Sequence, residues 1–82
     1  MVLRLTAKME SPIETVRRYN GRRIRVRLKN GMEIYGKLER CDTYMNMVLS
    51  EAKENDVNTN TIVRVYGSIM IRGSNVLFII FE

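Results

Sequence analysis

The sequence predicts a mainly β domain: a short N-terminal α-helix followed by a strongly bent five-stranded antiparallel sheet that forms a small open barrel. Three observations support this fold class. The segment RRIRVRLK alternates strictly between charged and apolar side chains, which is typical of a half-buried strand. The later segments MEIYGKLERC and TIVRVYGSIMI each contain an internal glycine, and such glycines often mark bends. The final segment, VLFIIF, is almost continuously apolar and predicts a strand that is either buried on both faces or a site of aggregation.

The helix is predicted at SPIETVRRY, near the start of the chain. Ser11 can act as the N-cap, Pro12 takes the first helical position, and Glu14 follows the serine by three residues, as in a capping box. An Asn-Gly pair at 20–21 ends the helix, because glycine readily adopts the left-handed conformation found after a helix.

The first two strands form a hairpin. In RRIRVRLK, the apolar residues Ile24, Val26 and Leu28 lie on one face, and arginine and lysine side chains lie on the other. The Asn-Gly pair at 30–31 is a strong hairpin signal, and it predicts a return strand beginning at Met32. A tight turn near residues 42–43 then leads into the third strand, YMNMVLSEAKE.

The segment DTYMN, residues 42–46, places unusual chemistry where the pattern still indicates a strand. In a strand, Asp42, Tyr44 and Asn46 would project from one face, while Met45 and Met47 would point into the core. The polar face is either a solvated outer surface or a binding surface, and the alternation alone leaves both readings open.

The polar loop NDVNTN separates the third strand from the fourth, and RGSN forms the turn before the last strand. An unpaired edge as apolar as VLFIIF would recruit other strands. We therefore expect neighbouring copies to pair head to tail through their last two strands, an arrangement that closes into a ring.

The chain has 82 residues, which predicts a single domain, residues 1–82. Residues 1–10 could form a flexible N-terminal segment, and the sequence leaves their order open. Net charge is +5, but residues 1–40 carry 11 Lys and Arg against 4 Asp and Glu. The basic half is the candidate for contact with polyanions.

Catalytic and metal chemistry have little support in the composition. The chain contains no histidine and one cysteine, Cys41, so the common zinc sets and the usual general base are absent. We therefore predict no enzyme activity, no catalytic residue, no metal site and no cofactor. Because no segment has the pattern of a secretory signal or a membrane span, a soluble cytoplasmic protein is expected.

Two segments, NGMEIYGKLERCDTYMNMVLSEAKE and IRGSNVLFI, together resemble the two-part signature of the Sm and Sm-like (LSm) proteins. The resemblance covers residues 11–81, and the chain is most similar in its short length to the archaeal Sm-like proteins. It implies a helix followed by a bent five-stranded barrel that assembles into a homo-oligomeric ring, with seven subunits favoured. It also implies binding of U-rich single-stranded RNA, in RNA processing or metabolism.

The resemblance assigns roles to individual residues. Tyr44 stacks on an RNA base, Asn46 hydrogen-bonds the edge of the base and favours uracil, and Arg72 covers the other face. Asp42 braces the arginine or the asparagine. Independently of the resemblance, Gly73 can take a positive φ in the turn and so bring the backbone near the ligand. These side chains suit a splayed base, which offers two π-faces and a hydrogen-bonding edge.

Two positions depart from the family pattern. Tyr44 stands where archaeal members commonly have histidine, so stacking is kept while an imidazole hydrogen bond is lost. Ser74 stands in the turn where many relatives have an acidic residue, which changes the polar contacts offered to base or ribose.

Three questions remain open at this point. The protein could be a ring-shaped scaffold for protein partners with weak nucleic-acid binding, or a small barrel that binds nucleic acid without base preference. The arginines of RRIRVRLK could be a solvated face paired with Glu33 and Glu39, or part of a second RNA surface. The second surface would add Arg4, Lys8, Arg17 and Arg18.

Overall fold

The computed structural model describes residues 2–4 and 12–82, and its strands all belong to one antiparallel sheet. The elements, in chain order, are strand β1 (Val2–Arg4), helix α1 (Pro12–Arg17), strands β2 (Arg23–Leu28), β3 (Met32–Cys41), β4 (Met47–Asp56) and β5 (Thr61–Ile71), a 3₁₀ turn (Gly73–Asn75) and strand β6 (Val76–Phe81). The short helix followed by five strands, β2 to β6, in a strongly bent sheet confirms the predicted fold class. The described part of the chain contains no helix with the length and hydropathy needed to cross a membrane.

The strands are ordered β1-β6-β2-β3-β4-β5, and every neighbouring pair is antiparallel. The last strand, β6, therefore returns beside β2, which is the pairing that curls a five-stranded sheet towards a barrel. The two strands at the ends of this order are β1 and β5.

The alternation in β2 is confirmed by burial. Ile24 and Val26 are fully buried, Leu28 is half-buried, and Arg23 and Arg25 are exposed. The hairpin that follows turns at the Asn-Gly pair, where Gly31 adopts a φ of +86° and its N–H donates to the Leu28 carbonyl oxygen. A glycine suits this position because L-residues rarely adopt such a φ.

The sheet bends sharply at Gly36, as its place in the sequence predicted. A Cβ added there would lie 3.0 Å from the Ala52 Cβ and 3.0 Å from the Ser50 carbonyl oxygen. The register between β3 and β4 shifts at this point, and Glu51 on β4 takes a φ of +48°. By contrast, pairing passes Gly67 with no register shift, and an added Cβ there would meet no atom within 4 Å.

The core is one cluster of apolar side chains from the sheet, and the helix packs against it. The helix contributes Val16, which is fully buried, and both methionines predicted to be core, Met45 and Met47, are buried. The side chains that are fully or almost fully buried come from the helix and from five strands. The largest of them are Ile24, Ile34, Leu38, Met47, Leu49, Ile79, Val16 and Val26.

The N-terminal strand β1 was not expected from the sequence. Val2, Leu3 and Arg4 pair with Ile80, Ile79 and Phe78 of β6, so part of the segment 1–10 is ordered. A three-residue strand is too short to give a recognisable alternation, which is why the pattern missed it. The predicted N-cap, Ser11, lies outside the described residues, as does Lys8.

Candidate nucleic-acid interface

The candidate site lies where two connections between strands meet. The first is the 42–46 loop, which joins β3 to β4, and the second is the 72–75 turn, which joins β5 to β6. The backbone N–H of Gly73 donates to the side-chain Oδ1 of Asn46 at 2.8 Å, across 27 positions of sequence. The structure therefore brings the two segments that carry the sequence resemblance into direct contact.

The expectation that residues 42–46 continue a strand is wrong, because Asp42 folds them into a compact loop. Its Oδ1 accepts hydrogen bonds from the backbone N–H groups of Tyr44 and Asn46, each at 2.9 Å. Met45 adopts a φ of +64°, a left-handed conformation that breaks the extended backbone. A short acidic side chain can satisfy nearby backbone donors locally and so compete with sheet pairing.

The Asn46 amide is held from both ends. Its Nδ2 donates to Asp42 Oδ2 at 3.0 Å, while its Oδ1 accepts from Gly73. A carboxylate can only accept and a backbone N–H can only donate, so these two partners fix which end of the amide is oxygen. One N–H and one lone pair of the amide remain available to a ligand.

Asp42 remains ionised in this arrangement. Desolvation raises the pKa of its carboxyl group, but the hydrogen bonds from the Asn46 side chain and from the backbone of Asn46 and Tyr44 outweigh it. The net pKa lies below the usual value of an aspartate. The charged form is therefore the one that the loop stabilises.

Gly73 is required by close approach and not by a positive φ, which corrects the expectation from the sequence. Its φ lies outside the left-handed region, since the described glycines with positive φ are Gly21 and Gly31. A Cβ on Gly73 would lie 1.9 Å from the Tyr44 carbonyl oxygen and 2.9 Å from the Met45 carbonyl carbon. Any other residue would therefore push the two connections apart.

Tyr44, Arg72 and Ser74 are the exposed members of the site. The Tyr44 side chain is 81% exposed, so its aromatic ring is open to solvent. Arg72 is extended, with φ −76° and ψ 132°, and its guanidinium group has no hydrogen-bond or ion-pair partner within residues 2–4 and 12–82. Both residues are therefore available to a ligand from adjoining connections.

A cleft of about 310 Å³ opens beside Asn46. Its walls combine charged and amide groups of the 42–46 loop with apolar side chains of β4 and β5. They are formed by Arg40, Cys41, Asp42, Asn46, Met47, Val48 and Met70. A flat polar ligand held at Asn46 would thus have apolar surface next to it.

Comparison with known proteins identifies the family. Residues 14–81 match the LSM domain. The chain belongs to this family. The resemblance to the Sm and Sm-like proteins is thereby confirmed, and the matched residues 14–81 all lie within the described range 12–82.

Relatives within the LSM family include both fungal and archaeal proteins. The chain is 42% identical over 59 residues to the U6 snRNA-associated Sm-like protein LSm6 of Lodderomyces elongisporus, covering 72% of this chain and 71% of that protein. Among solved structures, it resembles the Sm protein of Pyrococcus abyssi in complex with a uridine heptamer. The TM-score is 0.80 at 37% identity, covering 87% of this chain and 97% of that one. A heptameric archaeal Sm protein gives a TM-score of 0.71 at 32% identity, covering 82% and 94% of the two chains.

The three arginine side chains of β2 each form an ion pair with a glutamate. Arg23 lies 3.1 Å from Glu51, Arg25 lies 2.8 Å from Glu82, and Arg27 lies 3.1 Å from Glu33. Glu33 is therefore a partner, as the sequence analysis proposed. Glu39 instead accepts a hydrogen bond from the Ser50 hydroxyl group. These contacts favour the reading of a paired outer face over a second RNA surface on β2.

Cys41 is half-buried beside the site, in surroundings that favour its neutral thiol. Burial raises the pKa of its thiol to about 11, with a further increase from the Asp42 charge and an opposing effect from Arg17. The neutral thiol contacts the Met45 sulfur at 3.9 Å. Cys41 thus acts as a packing residue of the 42–46 loop.

Sequence reasoning named the site residues but missed the contacts that organise them. The acid at 42 and the amide at 46 carry a usable signal, because aspartate commonly bonds backbone groups two positions ahead. The contact between Gly73 and the Tyr44 carbonyl has no signal in one sequence, since it joins segments far apart in the chain.

Proposed function

We propose that this LSM protein forms a homo-oligomeric ring of seven subunits that binds U-rich single-stranded RNA in RNA processing or metabolism. Tyr44, Asn46 and Arg72 are the base-contacting residues, Asp42 and Gly73 position them, and Ser74 contributes polar contacts at the same turn. The observation that carries this proposal is the Asn46 amide, which is fixed in one orientation by Asp42 and Gly73 beside an exposed aromatic ring.

A fixed amide can distinguish uracil from cytosine. Uracil presents a carbonyl acceptor next to the N3–H donor, whereas cytosine presents an amino donor next to the N3 acceptor. In one fixed orientation, the free N–H and lone pair of Asn46 match the acceptor and donor of uracil. The bonds to Asp42 and Gly73 prevent the amide from rotating by half a turn to match the donor and acceptor of cytosine. Preference for uracil thus depends on residues that do not themselves touch the base.

Tyr44 and Arg72 supply the flat surfaces for stacking. A tyrosine ring and a guanidinium plane both stack on bases, and the guanidinium keeps its charge for a phosphate group. Each such base contact contributes about 1–3 kcal/mol, so a single subunit binds weakly. Repetition around a ring converts these modest sites into tight binding of one strand.

Ring formation is supported by the exposed edge of β5. This strand is the last in the sheet order, and its apolar side chains Ile62, Val65 and Met70 are 59%, 72% and 69% exposed. Exposed apolar edge strands pair with other chains. The similarity to a heptameric archaeal Sm protein and to a uridine-bound Sm protein supports seven subunits and uridine as the ligand.

The proposed protein is a binding protein and not an enzyme. The site contains an ionised acid, an amide, a phenol and a guanidinium group, but no nucleophile paired with a base. The cytoplasmic location predicted from the sequence stays a prediction.

The experiment is a fluorescence-anisotropy titration of the purified protein with labelled oligo-U, oligo-A and oligo-C of equal length, at one moderate salt concentration. We expect tighter binding of oligo-U. In the Asn46→Ala variant, we expect the preference between bases to disappear while much of the non-specific affinity remains.

The other outcomes separate the alternatives. Equal binding of all three oligonucleotides by the unmodified protein would contradict base reading and favour a barrel without base preference. No binding to any oligonucleotide, with the ring intact by native mass spectrometry, would favour a scaffold for protein partners.

A further inference from the structure

We propose that strand β1 pairs reversibly with the outer edge of β6 and so acts as a cap on it. The β5 strand of a neighbouring subunit needs the same edge of β6 to close the ring. This inference rests on the proposed ring. Its new element is that the chain's own N-terminus competes with the neighbouring subunit. The sheet order β1-β6-β2 shows that β6 already has a strand on each side within one chain.

The competition follows from the geometry of a strand, which can pair with only two neighbours. Ile80, Ile79 and Phe78 pair with β2 through Arg25, Val26 and Arg27 on one side. The same three residues pair with Val2, Leu3 and Arg4 on the other side. No edge of β6 is left at these positions for a strand from another copy.

The two competing strands differ greatly in length. β1 pairs with β6 over three residues, whereas β5 extends from Thr61 to Ile71 and has one strand neighbour within the described chain. A neighbouring β5 can pair with β6 over its whole length and cover its apolar face as well. At high protein concentration, a neighbouring β5 therefore replaces β1 on the edge of β6. In an isolated chain, β1 stays paired with β6.

The cap protects the unassembled chain. Without β1, the outer edge of the apolar strand Val76–Phe81 would be open to unspecific pairing. A short strand that shields this edge until a matched β5 arrives suppresses aggregation and shifts assembly to higher protein concentration.

The test is a disulfide lock of the cap. Val2 and Ile80 lie directly opposite each other, Val2 is exposed, and Ile80 is only half-buried. Opposed residues on antiparallel strands have Cα atoms about 4.5–5.5 Å apart, which a disulfide can span. The variant is Val2→Cys with Ile80→Cys in a Cys41→Ser background, and the control is Val2→Cys with Cys41→Ser alone.

Native mass spectrometry and analytical ultracentrifugation would then measure assembly of each variant, oxidised and reduced. We expect the oxidised, internally bridged variant to stay monomeric, and its reduced form and the control to form rings. Removing residues 2–4 should lower the protein concentration at which half of the chains are assembled. If β1 is paired with β6 in about nine-tenths of the unassembled chains, this concentration should fall about tenfold.

Rings formed by the bridged variant would overturn the cap while leaving the proposed ring standing. If the unmodified protein, the control and the reduced variant all stay monomeric at every concentration, the ring fails and the cap fails with it. The two failures are therefore distinguishable by the unmodified protein alone.

Discussion

The arginine-rich face of β2 and the junction of the 42–46 loop with the 72–75 turn both present polar groups to solvent, but they use them differently. On β2, the guanidinium groups of Arg23, Arg25 and Arg27 each lie within 4.0 Å of a glutamate. At the junction, Tyr44 is 81% exposed, and within the described residues the Arg72 side chain has no ion-pair partner. The charges of β2 are thus paired within the chain, whereas the junction keeps unpaired groups, within the described residues, on a backbone fixed by hydrogen bonds.

The comparison also separates two kinds of order. The β2 face is held by regular strand pairing, so its side chains could be exchanged for others with little effect on the backbone. The junction is held by side-chain-to-backbone bonds from Asp42 and Asn46. Its geometry therefore depends on the identity of a few residues.

The largest effect is expected from Gly73→Ala. The new Cβ would lie 1.9 Å from the Tyr44 carbonyl oxygen, so the two connections must separate and the Asn46 bond must lengthen or break. We expect a loss of about 1–3 kcal/mol in the free energy of unfolding. RNA binding should weaken as well. Chemical denaturation and anisotropy titration measure the two effects.

The matched control is Gly67→Ala on β5, where the added Cβ meets no atom within 4 Å. Its free energy of unfolding should change little or increase slightly. Equal stability of the two variants would show that the junction tolerates separation and would remove the argument for its rigidity.

The second-largest effect is expected on RNA binding, with almost no change in the free energy of unfolding. Tyr44→Ala and Arg72→Ala should each weaken binding to oligo-U by about 1–3 kcal/mol per bound base. Neither side chain has a partner in the described structure that its loss would leave unpaired, so the free energy of unfolding should stay within about 0.5 kcal/mol. Anisotropy titration and denaturation of the same preparations test both statements.

Arg25→Ala is the control for charge. It removes the same charge as Arg72→Ala but from an arginine that lies 2.8 Å from Glu82. We expect a small loss of RNA affinity and a change in stability of about 0–1 kcal/mol, as for other exposed ion pairs. An affinity loss equal to that of Arg72→Ala would mean that overall charge, and not the junction, determines binding.

The smallest effect is expected from acid acting on Asp42. Its folded-state pKa is lower than that of an unfolded aspartate, about 3.9. Its contribution to stability is therefore fully present above that value and lost as the pH falls through the folded-state pKa. The stability difference between the unmodified protein and Asp42→Asn should be constant from pH 5 to 8 and shrink in stronger acid, measured by denaturation at each pH. A difference that grows in acid would contradict this assignment.

Most of the sheet could be predicted because strand periodicity is local. The alternation in β2, the Asn-Gly hairpin and the bend at Gly36 are each visible within a few residues, and all three occur in the structure. The loop at 42–46 could not be predicted in the same way. Its polar residues also alternate, and only the bonds made by Asp42 and the left-handed backbone of Met45 distinguish it from a strand.

The candidate site shows a similar limit. Its residue identities came from the resemblance to the Sm and Sm-like proteins, whereas their mutual support came from the structure. The sequence suggested a positive φ at Gly73, and the structure shows a close contact with Tyr44 instead. The strand β1 was missed for a different reason, because its three residues become a strand only through pairing with β6.

The bond between Asn46 and Gly73 has a consequence during synthesis of the chain on the ribosome. The 42–46 loop leaves the exit tunnel before residue 73, so for a time Asn46 lacks the N–H that fixes its oxygen. Until then, only the bond from the Asn46 Nδ2 to Asp42 orients the amide. The geometry of the junction is therefore completed late in translation, after the turn before the final strand has emerged.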